Sequence, residues 1–287
     1  MKKYLPHIFI LTAGIAWGFL GLFSRNLSAF GFAPKDIVLV RNFGGLLAMT
    51  VLFSITDRTV FRIKLKHFPY FIGTGLVSVV LFTLLYFSCQ QHCSLAVSAI
   101  LLYTSPVFVM IMSAVIWKDK ITKQKLAALV ITFAGCVFVS GIASGNVSVT
   151  TAGLLTGLGS GFFYALYSIF GRFALQHYKP YTVTYYTFVC AGIASLFVSS
   201  PAKVASMLQI STVVPLLAVG IVLICTVLPF VLYTKGLAEI ESGKAAILAS
   251  VEPVAAAFVG VIAFGEPLTA SVVMGLVCIL SAVYILR

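Results

Sequence analysis

Glu252 is the only acidic residue deep inside an apolar stretch of this 287-residue sequence. A charged side chain at bilayer depth costs roughly 2.5–3.5 kcal/mol on insertion scales, so it should face a cavity or a partner. There it can hold a substrate amine or carry a coupling proton; a carboxyl bonded to a neighbouring helix is the purely structural alternative. Pro253 follows directly, and Pro106 occupies the middle of an earlier apolar stretch. A proline inside a helix removes one backbone hydrogen bond and bends the chain. The carbonyls freed over 102–106 and 249–253 can line a polar cavity. Aromatic residues with polar tips, Trp17, Tyr86, Tyr103, Tyr164, Tyr167 and Tyr233, gather in comparable stretches. They can box an aromatic or cationic substrate or anchor helices at the lipid interface. Trp117, next to Lys118, suits the anchor role. Arg41 lies about two turns into the second apolar stretch. It is placed to bind a substrate carboxylate, to pair with Asp36 or to cap helix carbonyls.

Other chemistries lack their residues. There is no Walker sequence, His-Glu-x-x-His or Gly-x-Ser-x-Gly. The string Gly157-x-Gly159-x-Gly161 follows no strand and is no dinucleotide loop. Gly153, Gly157 and Gly161 instead form a small-residue stripe suited to close helix packing in lipid. His7, His67, His92 and His177 all sit near the ends of apolar stretches, and Cys89 and Cys93 lack a second ligand pair. No cofactor and no metal is expected.

The elements that must hold these residues are transmembrane helices. The sequence is 61% hydrophobic and 9% charged, whereas a soluble domain is about 25% charged. About 20 apolar residues cross the hydrocarbon core, and ten candidate spans follow: 6–24, 34–56, 68–88, 95–116, 124–143, 150–171, 181–199, 211–234, 243–264 and 268–286. The first span, preceded by Lys2 and Lys3, is too long for a signal peptide. With a cytoplasmic N-terminus, 15 of the 19 Lys and Arg residues fall on the inner side, which places both termini inside. The net charge of +12 thus reflects membrane topology and not nucleic-acid binding.

A gap-free repeat links the halves. Shifted by 147 residues, Leu85-Tyr86 falls on Leu232-Tyr233, Ala99-Ile100-Leu101 on Ala246-Ile247-Leu248, Pro106 on Pro253 and Gly14 on Gly161. Arg25 meets Arg172, Trp17 meets Tyr164 and Asp119 meets Glu266 at the same offset. Five spans per half is an odd number, so the second half must enter the membrane inverted. Inverted repeats are an architecture of secondary transporters, with the substrate site near the midplane.

Ala16-Trp17-Gly18, Arg25…Pro34…Arg41-Asn42, Tyr103-Thr104-Ser105-Pro106 with Asp119-Lys120-Ile121-Thr122, and Val251-Glu252-Pro253-Val254 followed by Gly265-Glu266-Pro267-Leu268-Thr269 resemble the drug/metabolite transporter superfamily. The resemblance is to its EamA-like ten-helix branch and covers essentially the whole chain. It implies a secondary transporter of amino acids, nucleosides, other metabolites or cationic drugs. It also implies a central cavity lined by helices that here carry Trp17, Tyr86, Tyr103, Tyr164, Tyr233 and Ser250. The polar stretch Cys89-Gln90-Gln91-His92-Cys93 departs from the pattern.

The reading is an all-α integral membrane protein of two inverted five-helix repeats, 1–145 and 146–287. It exports a small metabolite, an amino acid or related aromatic or cationic compound, across the plasma membrane by alternating access. Its partners are a small-molecule substrate and the lipid bilayer, and it acts as a monomer or homodimer. Import of a cationic or nucleoside-type metabolite is the nearest alternative. An intramembrane lipid-modifying enzyme would need a cluster of acids, histidines or metal ligands around Glu252. A channel would need a ring of charges or a carbonyl filter.

Overall fold

The computed structural model describes residues 4–93, 95–140 and 150–286. Lys2, Lys3, Arg287 and the boundary between 145 and 146 lie outside the described residues, as does the expected end of the fifth span. Every element among the described residues is helical. This follows from lipid as solvent: a span must satisfy its own backbone polar groups.

The chain runs through α1 (Leu5–Gly18), α2 (Leu20–Ala29), α3 (Pro34–Thr56), α4 (Phe68–Ile72), α5 (Leu81–His92), α6 (Leu95–Leu102), α7 (Ser105–Trp117) and α8 (Lys123–Val139). It continues with α9 (Thr151–Leu175), α10 (Pro180–Val198), α11 (Pro201–Met207), α12 (Val213–Val222), α13 (Leu228–Leu237), α14 (Ser242–Ala249), α15 (Glu252–Phe264) and α16 (Ala270–Ile285). Joined across short irregularities, these give eight stretches long and apolar enough to cross a bilayer. α16, with 16 residues, and α8, with 17 described residues, are shorter and pack along one another. Length alone therefore supports a polytopic helical membrane protein and stops short of the expected ten spans.

The irregularities repeat. A π-helical turn at Gly73–Val80 joins α4 to α5, and another at Leu223–Val227 joins α12 to α13; 76 and 223 differ by 147. The caps repeat too. Thr122 Oγ1 accepts from Lys125 N and Thr269 Oγ1 from Val272 N, both at 3.3 Å. α7 and α15 both end on a left-handed residue, Lys118 at φ 57° and Gly265 at φ 65°.

The prolines do more than bend their helices. The fourth and ninth spans, read from the sequence as continuous, are each two half-helices. α6 stops at Leu102 and α7 starts at Ser105; α14 stops at Ala249 and α15 starts at Glu252. Pro106 and Pro253 sit at the second position of the new helix, where a missing N–H costs nothing. The residues before them form a tight turn, with Thr104 N to Leu101 O at 3.2 Å and Val251 N to Leu248 O at 3.3 Å. Glycines on α1 and α9 let those helices press onto the turns. A Cβ at Gly14 would lie 2.7 Å from Ala249 O, and one at Gly161 would lie 2.8 Å from Leu101 O. The freed backbone is thus largely covered by a glycine face and does not line the cavity throughout, as the sequence suggested.

Direction follows from packing. α14 runs beside α7, with Gly243 next to Met110 and Lys125 paired to Glu241. α15 continues away from α14, so Trp117 and Phe264 point to opposite ends of the molecule. We call these ends the Asp119 face and the Glu266 face.

Candidate substrate-binding cavity

The two turns meet at a narrow cavity in the middle of the bundle. Its lining includes Trp17, Tyr103, Tyr164, Tyr233, Ser250 and Glu252. Each comes from an element described above: Trp17 from α1, Tyr164 from α9, Tyr233 from α13, and the others from the broken helices. Tyr86, expected in the same site, lies beyond it. With Tyr103 it lines a second, wider cavity that extends to the Glu266 face and includes Pro253. Pro106 is buried in the first turn of α7 and lines neither cavity.

The apolar wall is a set of edge-packed rings. Trp17 meets Phe230 at 5.3 Å and Tyr233 at 5.5 Å between centroids, and Tyr167 meets Phe230 at 5.3 Å. Tyr164 is braced by Phe82 at 5.1 Å. Two hydroxyls are spent on structure: Tyr233 Oη is 2.8 Å from Ser168 Oγ and Tyr167 Oη 2.7 Å from Thr234 Oγ1. The Tyr103 and Tyr164 hydroxyls and the Glu252 carboxylate make no hydrogen bond to any described residue. Ser78 Oγ, also on the wall, is without a partner among them.

Arg41 supplies the opposite charge. Its Nε donates to Thr226 Oγ1 at 3.3 Å, which fixes the side chain to the π-helical turn of Leu223–Val227. It lies within electrostatic reach of Glu252, Tyr164 and Cys225 but forms no ion pair with Glu252. The pairing with Asp36 considered from the sequence is not made. Asp36 is fully buried against Lys203 Nζ at 2.7 Å and Ser199 Oγ at 2.6 Å, and its second role is to accept from Ala33 N at 3.0 Å. Arg41 is thus part-buried within electrostatic reach of Glu252 without pairing to it, and it lies outside the residues that line the cavity.

The outlying sequence candidates serve packing. Gly153 and Gly157 continue the Gly161 stripe against Cys93, Cys89 and Leu101. Cys89 Sγ donates to Gly153 O at 3.3 Å, and all six cysteines are free thiols. His67 and His177 stack on each other at 4.2 Å. Trp117, expected as an anchor, lies beneath the Arg172 guanidinium at 4.3 Å. The sequence reasoning missed Phe230, Phe82 and Ser78 as wall residues. Phe and Ser in apolar spans carry no signal of their own. It also missed that Arg25 and Arg172 pair with Glu266 and Asp119, although all four stood in the repeat.

A family model, the EamA-like transporter family, matches residues 5–141 and again 151–287. The chain belongs to the EamA-like transporter family. Among its relatives is a protein of Archaeoglobus fulgidus named as an uncharacterized transporter, 27% identical over 96% of this chain and 94% of that protein. YyaM of Bacillus subtilis, an uncharacterized transporter, is 24% identical over 88% and 84%. YicL of Salmonella typhimurium, an uncharacterized inner membrane transporter, is 24% identical over 96% and 93%. A solved crystal structure superposes with a TM-score of 0.79 at 17% identity, covering 98% of this chain and 95% of that one; at that identity the likeness speaks for the fold alone. The chain is thus a membrane transporter of this family, embedded in a lipid bilayer.

Proposed function

We propose that this EamA-like protein is a secondary active transporter of ten spans, arranged as inverted repeats 1–145 and 146–287. It exports a small metabolite across the plasma membrane, with both termini in the cytoplasm. The recurrence of helix breaks, π turns and caps at one offset supports the repeat, and so does a family model that matches twice. The substrate is an amino acid or a related aromatic or cationic compound. The observation that carries this is the unpaired Glu252 carboxylate, set in an aromatic wall with Arg41 held apart from it.

In this reading the amine of the substrate meets Glu252, and Trp17 and Tyr164 flank its body by ring and cation–π contact. A carboxylate on the substrate turns toward Arg41. Glu252 also serves as the exchange point for a coupling proton when the amine leaves. Alternating access carries the loaded site from one face to the other.

The test is a thermal-shift screen of the purified protein against amino acids, nucleosides and quaternary amines. A ligand at a hundredfold excess over its dissociation constant stabilises the folded state by about 2.7 kcal/mol. The expected result is a shift for amine-bearing aromatic compounds that is lost in both Glu252→Gln and Trp17→Ala. A shift that survives both substitutions would move the substrate out of this cavity. Counterflow of the hit in proteoliposomes, with and without a pH gradient, then reads direction and proton coupling; net inward movement would replace export by import.

A further inference from the structure

Two ion pairs lie outside the cavity and repeat each other in detail. At the end of α9, Arg172 Nη1 donates to Asp119 Oδ2 at 2.5 Å and Nη2 to Oδ1 at 3.3 Å. In the middle of α2, Arg25 Nη1 donates to Glu266 Oε1 at 2.6 Å. Each guanidinium also covers a ring, Trp117 at 4.3 Å and Phe264 at 4.6 Å. Each acid follows the left-handed cap of its half-helix, Lys118 or Gly265, and its own N–H returns to a carbonyl six residues back. Asp119 N reaches Ser113 O at 3.4 Å and Glu266 N reaches Gly260 O at 3.1 Å. All of these positions differ by 147. In each case the arginine comes from one half of the chain and the acid from the other.

The two pairs differ in surroundings. Arg172 and Asp119 are 25% and 15% exposed, against 56% and 46% for Arg25 and Glu266. Beneath Arg25 and Glu266 lies the second, wider cavity, whose lining includes Gly18, Gly21, Ala256 and Gly260. Their counterparts at the Asp119 face are Ala165, Ser168, Val109 and Ser113; all four are buried, the first three on the wall of the central cavity and Ser113 outside it. Ser113 Oγ has no hydrogen-bond partner among the described residues. A buried hydroxyl without a partner is costly, and the cost disappears in any state that lets water reach it.

We propose that Arg172–Asp119 and Arg25–Glu266 are reciprocal gates of the transport cycle, of which the first is shut in this structure. Opening the Asp119 face parts Arg172 from Asp119, lifts Trp117 from the arginine and wets Ser113. The Glu266 face closes by packing around Arg25–Glu266 as the Asp119 face is packed here. The proposal rests on the alternating-access reading given above and needs no knowledge of the substrate.

Single-cysteine reporters test it, Ser113→Cys for the Asp119 face and Ala256→Cys for the Glu266 face. Labelling by a membrane-impermeant maleimide is timed in right-side-out and everted vesicles, and the same proteins without the reporter give the background of the native thiols. Asp119→Asn should speed Ser113→Cys labelling and slow Ala256→Cys labelling. Each change should be roughly fivefold or more, the lower end of coupling between distant sites. Glu266→Gln should do the reverse. The charge exchange Asp119→Arg with Arg172→Asp should restore the original rates, which a merely misfolded protein would not do. Reporters labelled in the intact protein but unmoved by either pair variant would overturn the gates and leave alternating access standing. So would both reporters speeding together. A Ser113→Cys reporter that stays unlabelled from both faces in every variant would overturn the gates and alternating access alike.

Discussion

The two broken helices are built on one backbone plan and carry different chemistry. In the first, Tyr103-Thr104 make the turn and Ser105 opens α7. In the second, Ser250-Val251 make the turn and Glu252 opens α15. The backbone bonds match, Thr104 to Leu101 and Val251 to Leu248. Each turn is backed by a glycine of the opposite half, Gly161 for the first and Gly14 for the second. Side chains diverge where they leave the backbone. Thr104 spends its hydroxyl on Leu101 O at 2.6 Å, whereas Val251 is buried in an apolar cluster with Cys136 and Ile279. Ser105 offers the cavity a hydroxyl and Glu252 a charge. In the proposed repeat, a symmetric frame places the two half-helix starts at one central cavity. Divergence of a few side chains then decides which start holds a cation.

The largest difference between the halves should appear on neutralising each start. Glu252→Gln removes the one carboxylate of the cavity, and losing a partner to a buried charge costs about 2–5 kcal/mol of ligand affinity. Ser105→Ala removes a neutral hydroxyl, for which about 0.5–1.5 kcal/mol is expected. Titration of the screening hit by calorimetry compares the two directly. Equal losses would erase the distinction between the starts and return Glu252 to a packing role.

A second comparison bears on the frame and not on its chemistry. Gly14→Ala and Gly161→Ala each drive a methyl against a carbonyl of the opposing turn, at 2.7 and 2.8 Å. Overpacking of this kind costs typically about 1–3 kcal/mol, and the two variants should lose thermal stability alike. Gly21→Ala, whose Cβ meets nothing within 4 Å, should be neutral or slightly stabilising. A large loss at one of the first two and none at the other would show that only one turn is pinned by its glycine.

How much of this was legible in the sequence depends on the kind of signal. The membrane class was, because lipid forces composition. The paired positions of the two helix breaks were, because Pro106 and Pro253, Gly14 and Gly161 are rare types with narrow roles. Trp17, Tyr103, Tyr164, Tyr233 and Glu252 could be nominated because polar tips are expensive in apolar spans. The helix breaks were not legible, since a proline is compatible with both a kink and a restart and only packing against α1 and α9 selects the restart. Tyr86 was misplaced beyond the cavity because repeat equivalence with Tyr233 fixes a position along the helix but not which of two adjoining cavities receives it. The crossed pairing of Arg25 with Glu266 needed the fold, because opposite charges 241 residues apart give no local pattern.

The smallest test concerns the caps that aim the two gate acids. Lys118 and Gly265 occupy the same left-handed conformation at φ 57° and 65°. A residue with a Cβ pays roughly 1–2 kcal/mol there, part of which glycine gives back through its looser unfolded chain. Nothing lies within 4 Å of a Cβ at Gly265, so Gly265→Ala should cost about 1 kcal/mol, all of it from the dihedral. Lys118→Gly should gain about 0.5–1 kcal/mol by the same argument run backwards. Thermal unfolding in detergent reads both as shifts of opposite sign. Shifts of the same sign would mean that the exposed Lys118 side chain, and not its backbone, sets stability at the Asp119 face. The parallel between the two gates would then stop at their geometry.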